Sequence, residues 1–240
     1  MTTKEHYQNY LGNFYSWMTG DFDRSVDEFV WFCKENGITP QNTTSAIDLG
    51  AGNGIQTVAL AKLGFNVTAI DFTEQLLAEL RENAGTLQIS VVNDDIRNLK
   101  TYAHLKPELI VCWGDTITHL ESPYEIEQFI SEASGILSPK GKLVLSFRDY
   151  SKALHNTQRF IPVKSEASRI LTCMLEYFED KVRVTDLLHE LENGNWKQKI
   201  SSYYKIRLSK ETAIKLLKSY GFNVLYEQTE RGIIKVIGEK

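Results

Sequence analysis

The chain has 240 residues, 42% hydrophobic and 24% charged, with 15 Gly, 5 Pro and a net charge of −4. This composition excludes disorder, collagen and coiled coil, and the length suffices for a full core without disulfide staples. No apolar run exceeds five residues (29–33 and 109–113), which excludes a helical membrane span of about 20 residues, and no apolar signal core opens the chain.

In chain order, the spacing of Val26, Phe29, Val30 and Cys33 predicts a helix over 25–36, stopped by Gly37. From Ser45 short apolar runs alternate with helical ones. Strands are expected at 46–49, 66–70, 88–92, 108–113 and 142–147, and helices at 55–63, 73–83 and 124–137. That alternation implies βαβ units around a parallel sheet. After Tyr150 the rhythm breaks into three strand-like runs, 169–178, 182–192 and 197–208, with a hairpin signal at Asn193-Gly194. A helix over 209–220 and an antiparallel hairpin of strands 222–228 and 233–238 complete the chain. Cys33, Cys112 and Cys173 are far apart and form no CxxC pair, so neither a disulfide framework nor a zinc site is expected. His6, His104, His155 and His189 show no mutual spacing that suggests metal, and no metal is expected. Basic residues are in excess beyond residue 150 but dispersed, so nucleic acid is not the expected partner.

The strongest motif is Ala46-Ile-Asp48-Leu-Gly50-Ala51-Gly52-Asn-Gly54, three alternate glycines between a short strand and a helix. Glycine lets the backbone turn tightly and approach a ligand closely. Asp71 closes the next strand and suits a ribose diol, because one carboxylate accepts from both hydroxyls. Both features fall at strand carboxyl ends, where open α/β sheets bind ligands. A dinucleotide prefers GxGxxG; the GxGxG spacing, with Asp48 ahead of it, points instead to S-adenosylmethionine (SAM). A ligand-free glycine turn is the plain alternative.

On these residues the sequence resembles the class I SAM-dependent methyltransferases over about 40–150 and 209–240. The resemblance implies Asp71 on the ribose, Leu76 on adenine, and Asp95 and Ile96 reading the adenine edge, with Asp94 as a substitute for Asp95. The cofactor set it implies is Tyr15, Trp17, Asp48, Gly50, Ala51, Gly52, Asp71, Phe72, Leu76, Asp95, Ile96, Trp113 and Gly114. Glu108 stands where the family usually has Asp. The stretch from Cys112 to Leu120 resembles small-molecule methyltransferases, including glycine N-methyltransferases. Asp115 and His119 would then lie near the acceptor, although Asp also caps short helices and a buried His also holds loops. Arg148-Asp149-Tyr150 resembles the Arg-Asn-Tyr of glycine N-methyltransferases, whose arginine holds the substrate carboxylate. Arg148 would be that clamp, unless it pairs structurally with Asp149, and Tyr150 would stand nearby. The aromatic cluster Tyr7, Tyr10, Phe14, Tyr15, Trp17 and Met18, ahead of Gly20, is either a lid over SAM or a packing helix.

The expected fold is α/β, a doubly wound, seven-stranded, mostly parallel Rossmann-like sheet with an inserted antiparallel meander. Residues 1–240 are expected to form a single methyltransferase domain. Within it, 1–40 form an N-terminal helical lid, 41–150 the SAM-binding core, 151–208 the inserted cap and 209–240 a C-terminal helix and strand hairpin. The expected activity is methyl transfer from SAM to a small-molecule acceptor, with a carboxylate-bearing amine as one candidate. The alternatives are an RNA or protein methyltransferase on the same fold, or a non-catalytic SAM-binding protein. A cytoplasmic monomer or homodimer without a membrane partner is expected.

Overall fold

A computed structural model describes residues 2–240. The chain opens with α1 (Thr3–Asn9), a 3-10 turn (Leu11–Phe14), α2 (Tyr15–Thr19) and α3 (Phe22–Glu35). The α/β part follows: β1 (Ser45–Leu49), α4 (Ile55–Lys62), β2 (Asn66–Asp71), α5 (Glu74–Ala84), β3 (Ile89–Asn93), β4 (Leu109–Cys112), α6 (Pro123–Ile136) and β5 (Lys142–Arg148). Strands β6 (Phe160–Glu166), β7 (Arg169–Tyr177), β8 (Lys181–Glu192) and β9 (Asn195–Ile206) come next, then α7 (Lys210–Ser219), β10 (Asn223–Glu230) and β11 (Ile233–Glu239).

The large sheet has seven strands in the order β10-β11-β5-β4-β1-β2-β3, parallel from β5 to β3, with the expected hairpin antiparallel at one edge. Its central strands are buried on both faces, which explains their unbroken apolar runs. Ile47, Leu49, Ile110 and Leu145 pack with α6 and α7 on one side. Ala46, Val111 and Val144 pack with α3 and α4 on the other. Helix α3 starts three residues earlier than its apolar spacing implies, because the Asp21 carboxylate caps it from the Arg24 N–H at 3.0 Å. Glu108 has a local role. Its carboxylate accepts from the backbone N–H groups of Gln41, Asn42, Thr43 and Thr44, at 2.6–3.3 Å, and so anchors the loop entering β1.

The meander has four strands, in the order β6-β7-β8-β9, rather than the expected three. Strand β6 escaped the sequence pattern because no face of it is buried and Pro162 interrupts it. It is an edge strand with an irregularity at Pro162/Lys164, where a missing N–H does little harm. The inner face of this second sheet covers two things. Leu171 and Leu188 pack against Tyr10, Leu11 and Phe14 of the N-terminal segment, and Leu175, Val182, Val184 and Tyr203 pack against Tyr150. A roof is thereby set over the carboxyl ends of β4 and β5. Among the described residues no helix is long and apolar enough to cross a membrane.

Candidate functional site

A cavity of about 530 Å³ opens at the carboxyl ends of the central strands, between the large sheet, the N-terminal segment and the second sheet. The glycine loop forms its floor, with φ values of 70°, 53° and 96° at Gly50, Gly52 and Gly54. A Cβ on Gly50 would stand 2.4 Å from Thr116 Cγ2, and one on Gly52 would touch the Tyr15 ring at 3.4 Å. A side chain is therefore excluded by contact at Gly50, and at Gly52 it is disfavoured by the left-handed backbone. Asp71 is held beneath: its Oδ2 accepts from Gly52 N at 3.0 Å and its Oδ1 from Thr73 N at 2.8 Å. Each oxygen keeps one lone-pair site for a further donor. Burial pushes this carboxyl upward, while hydrogen bonding from Thr73, Gly52 and Phe72 opposes the shift. A nucleoside with a 2′,3′-diol fits that arrangement.

Phe72, Leu76, Asp95 and Ile96 continue the wall from this loop. Of the two adjacent acids, Asp95 lines the cavity. Asp94 is consumed by its own turn, accepting from Tyr102 Oη at 2.7 Å and Asn98 Nδ2 at 2.6 Å. Asp95 caps the 3-10 segment Ile96–Leu105 and pairs with Arg97 at 2.7 Å. Arg97 also reaches Glu121 at 3.5 Å and Glu125 at 3.8 Å, so this end of the cavity is acidic.

Tyr15, Gly50, Gly52, Asp71, Phe72, Leu76, Asp95, Ile96 and Gly114 of the expected cofactor set all line the cavity. The structure places the other four elsewhere. Asp48 is buried below the loop and accepts from Thr57 Oγ1 at 2.5 Å; burial raises its carboxyl to about 7. Ala51 packs into a small cluster with Ala69, Leu77 and Leu80. Trp113 turns to the opposite side of the sheet, 4.9 Å from Phe29 and 5.0 Å from Phe32, because that side offers an apolar helix face. Trp17 faces the second sheet, with Lys164 and Arg169 over its ring at 5.2 and 5.1 Å.

The expected acceptor residues divide similarly. His119 lines the cavity, with its Nε2 3.3 Å from the Tyr7 hydroxyl and its buried Nδ1 without a hydrogen-bond partner. Burial, then Lys205 and His6, depress the imidazole well below its usual range, so the ring is neutral. Asp115 sits at φ 80° behind the wall as a hub. It accepts from Thr118 Oγ1 at 2.8 Å, Arg148 N at 2.9 Å, Tyr150 Oη at 3.0 Å and the Lys205 ammonium. These four donors occupy its lone pairs, so Asp115 and Tyr150 hold β4, β5 and β9 together. Arg148 lies outside the cavity lining. Its Nη1 is 3.7 Å from where a Cβ on Gly232 would stand, and Asp149 bonds Ser151 rather than Arg148.

Sequence reading missed Thr116, Lys181 and Lys205, all of which line the cavity. The signal for Lys205 was present as alternation: Ser201, Tyr203 and Lys205 share the buried face of β9. The N-terminal segment bridges the two sheets. Ser16 bonds Glu79 and accepts from Asn53 Nδ2, while His6 meets Ser201 Oγ at 2.7 Å and Asp186 Oδ2 at 3.3 Å.

Residues 46–141 match the family described as "Methyltransferase domain". A glycine/sarcosine N-methyltransferase of Halorhodospira halochloris is 30% identical over 138 residues, 56% of this chain and 50% of that protein. A ubiquinone biosynthesis O-methyltransferase of Actinobacillus pleuropneumoniae is 26% identical over 71% of this chain and 72% of its own length. The chain spans about half the length of the glycine/sarcosine enzymes it matches. The crystal structure of an S-adenosylmethionine-dependent methyltransferase from Clostridium acetobutylicum superposes with a TM-score of 0.73 at 18% identity, covering 91% of this chain and 92% of that one, which shows the shared fold. A glycine loop that turns through left-handed backbone, an acid beneath it, the strand order and the sequence match agree: residues 46–141 carry a methyltransferase domain, on the fold of the S-adenosylmethionine-dependent methyltransferases.

Proposed function

We propose that this chain transfers the methyl group of SAM to a small-molecule acceptor held in the cavity between the glycine loop and the second sheet. The observation that carries this reading is one continuous cavity joining Asp71 and the glycine loop to Tyr7, His119 and Lys205. When bound, SAM supplies a methyl group that its sulfonium already makes electrophilic. The chain's own task is then alignment and exclusion of water more than acid-base power. Asp71 receives the ribose hydroxyls, and Leu76 and Ile96 enclose the adenine. Tyr15 closes over Gly52. Neutral His119, with its Nε2 beside the Tyr7 hydroxyl, forms part of the wall around the acceptor.

A carboxylate-bearing amine is the finer reading, supported by the glycine/sarcosine enzymes among the relatives. An O-methyl acceptor is the competing one, supported by the ubiquinone enzyme. A cytoplasmic setting, with three unpaired cysteines, belongs to the same proposal. The test is mass-spectrometric detection of isotopically labelled methyl products after incubating a metabolite extract with the protein and labelled SAM. Tight SAM binding with no labelled metabolite would reject catalysis in favour of a SAM-binding role.

A further inference from the structure

We infer that Lys205 is the residue that holds the acceptor, through an anionic group on it. This rests on the methyl-transfer reading above and adds the acceptor's charge and its anchor. Lys205 lies on the inner face of β9, is 7% exposed and lines the cavity. Among the described residues its ammonium has one hydrogen-bond acceptor, the Asp115 carboxylate. The Tyr150 and Tyr203 rings stand 5.7 Å away on either side. An ammonium carries three donors, and a buried donor without an acceptor is costly. Two N–H groups are thus left for a ligand. Asp115 itself has nothing left to offer, because Thr118, Tyr150 and the Arg148 N–H take its remaining lone pairs.

The distribution of charge along the cavity agrees. Asp71, Asp95, Glu121 and Glu125 line the nucleoside side, four acids against the single cation Arg97. Lys4 from α1 and Lys181 and Lys205 from the second sheet also line the cavity, and among the described residues neither element adds an acid to its lining. Asp115 balances the charge of Lys205, so the pair is not a long-range trap. It offers two short-range hydrogen bonds, and Lys181 and the positive sulfonium of the donor supply the remaining attraction. A carboxylate fits this pattern, since it accepts two such bonds through one oxygen or both. The nucleophilic atom would lie between that carboxylate and the glycine loop.

The test uses the full chain loaded with S-adenosylhomocysteine and titrated calorimetrically with acetate and sarcosine, and with acetamide and sarcosinamide, in which an amide replaces the carboxylate. The carboxylate probes should bind and the amide probes should bind more weakly. Lys205→Met should weaken sarcosine about tenfold or more, the loss of a charge-assisted hydrogen bond. S-adenosylhomocysteine affinity should be unchanged. Because Lys205→Met strands the Asp115 carboxylate, the paired variant Lys205→Met with Asp115→Asn is measured beside it, with melting temperatures for both. The inference is overturned if carboxylate and amide probes bind alike, or if sarcosine binding survives in a folded Lys205 variant. A loss confined to Arg148→Met overturns it too, as does an acceptor from the labelled-SAM screen that has no anionic group. If the wild type fails to bind S-adenosylhomocysteine at all, the methyl-transfer reading itself falls, a result separable from every one above.

Discussion

Replacing Asp71 by Asn tests the nucleotide assignment most sharply. The carboxylate takes one backbone N–H on each oxygen, from Gly52 at 3.0 Å and Thr73 at 2.8 Å, and so faces the cavity with two acceptor sites to spare. The amide keeps the shape but loses the charge and half of the acceptors. A hydrogen bond to a charged group contributes about 1.5–3 kcal/mol, so S-adenosylhomocysteine should bind about 10- to 150-fold more weakly. Stability should change less. One backbone N–H loses its acceptor at a cost of about 1–3 kcal/mol, but the variant no longer buries a charge. That relief is real, because burial already pushes the Asp71 carboxyl upward. Calorimetry of S-adenosylhomocysteine binding and thermal melting on the same preparation separate the two effects. An unchanged dissociation constant in a folded Asp71→Asn protein would refute the role of Asp71, and preferential binding of NAD would refute the SAM site.

Gly50→Ala should lower both the melting temperature and S-adenosylhomocysteine affinity, because φ is 70° and the new Cβ meets Thr116 Cγ2 at 2.4 Å. The left-handed backbone alone costs about 1–2 kcal/mol, and unaltered melting would mean that the loop relaxes freely. Asp48 titrates near 7 when folded and near ~4 when unfolded, so the native state binds the extra proton between those values. Stability attributable to Asp48 therefore falls as pH rises from ~4 to about 7 and levels off above. Melting curves of wild type and Asp48→Asn should diverge in the Asn variant's favour over that window; parallel curves would show that Asp48 is not destabilised by burial. Limited proteolysis within residues 7–20 should slow on adding S-adenosylhomocysteine, since Tyr15 lies over Gly52 and Ser16 is tied to Asn53 and Glu79. Equal cleavage rates with and without it would reject a ligand-coupled cover.

Local chemistry made the cofactor half of this protein legible in one dimension. The glycine loop, Asp71, Leu76, Asp95 and Ile96 lie within or just after consecutive βα units, so their spacing along the chain is also their spacing in the cavity. Buried parallel strands announce themselves as apolar runs, and the sheet could be counted from them. The acceptor half was not legible in this way. Trp113 and Asp115 follow the same strand, yet one packs outward on α3 and the other locks three strands together. Which side chain faces the cavity there depends on the partners that arrive from 30–90 residues away. Alternation puts Lys205 on one face of β9 with Ser201 and Tyr203 but does not say what that face meets. Only the folding of β9 over the end of β4 buries its ammonium against Asp115, and only that burial makes its unmatched donors chemically significant. Short-range spacing determined where a nucleotide sits, and long-range packing decided which residues meet the molecule beside it, because strand alternation sets a side chain's face but not what lies opposite.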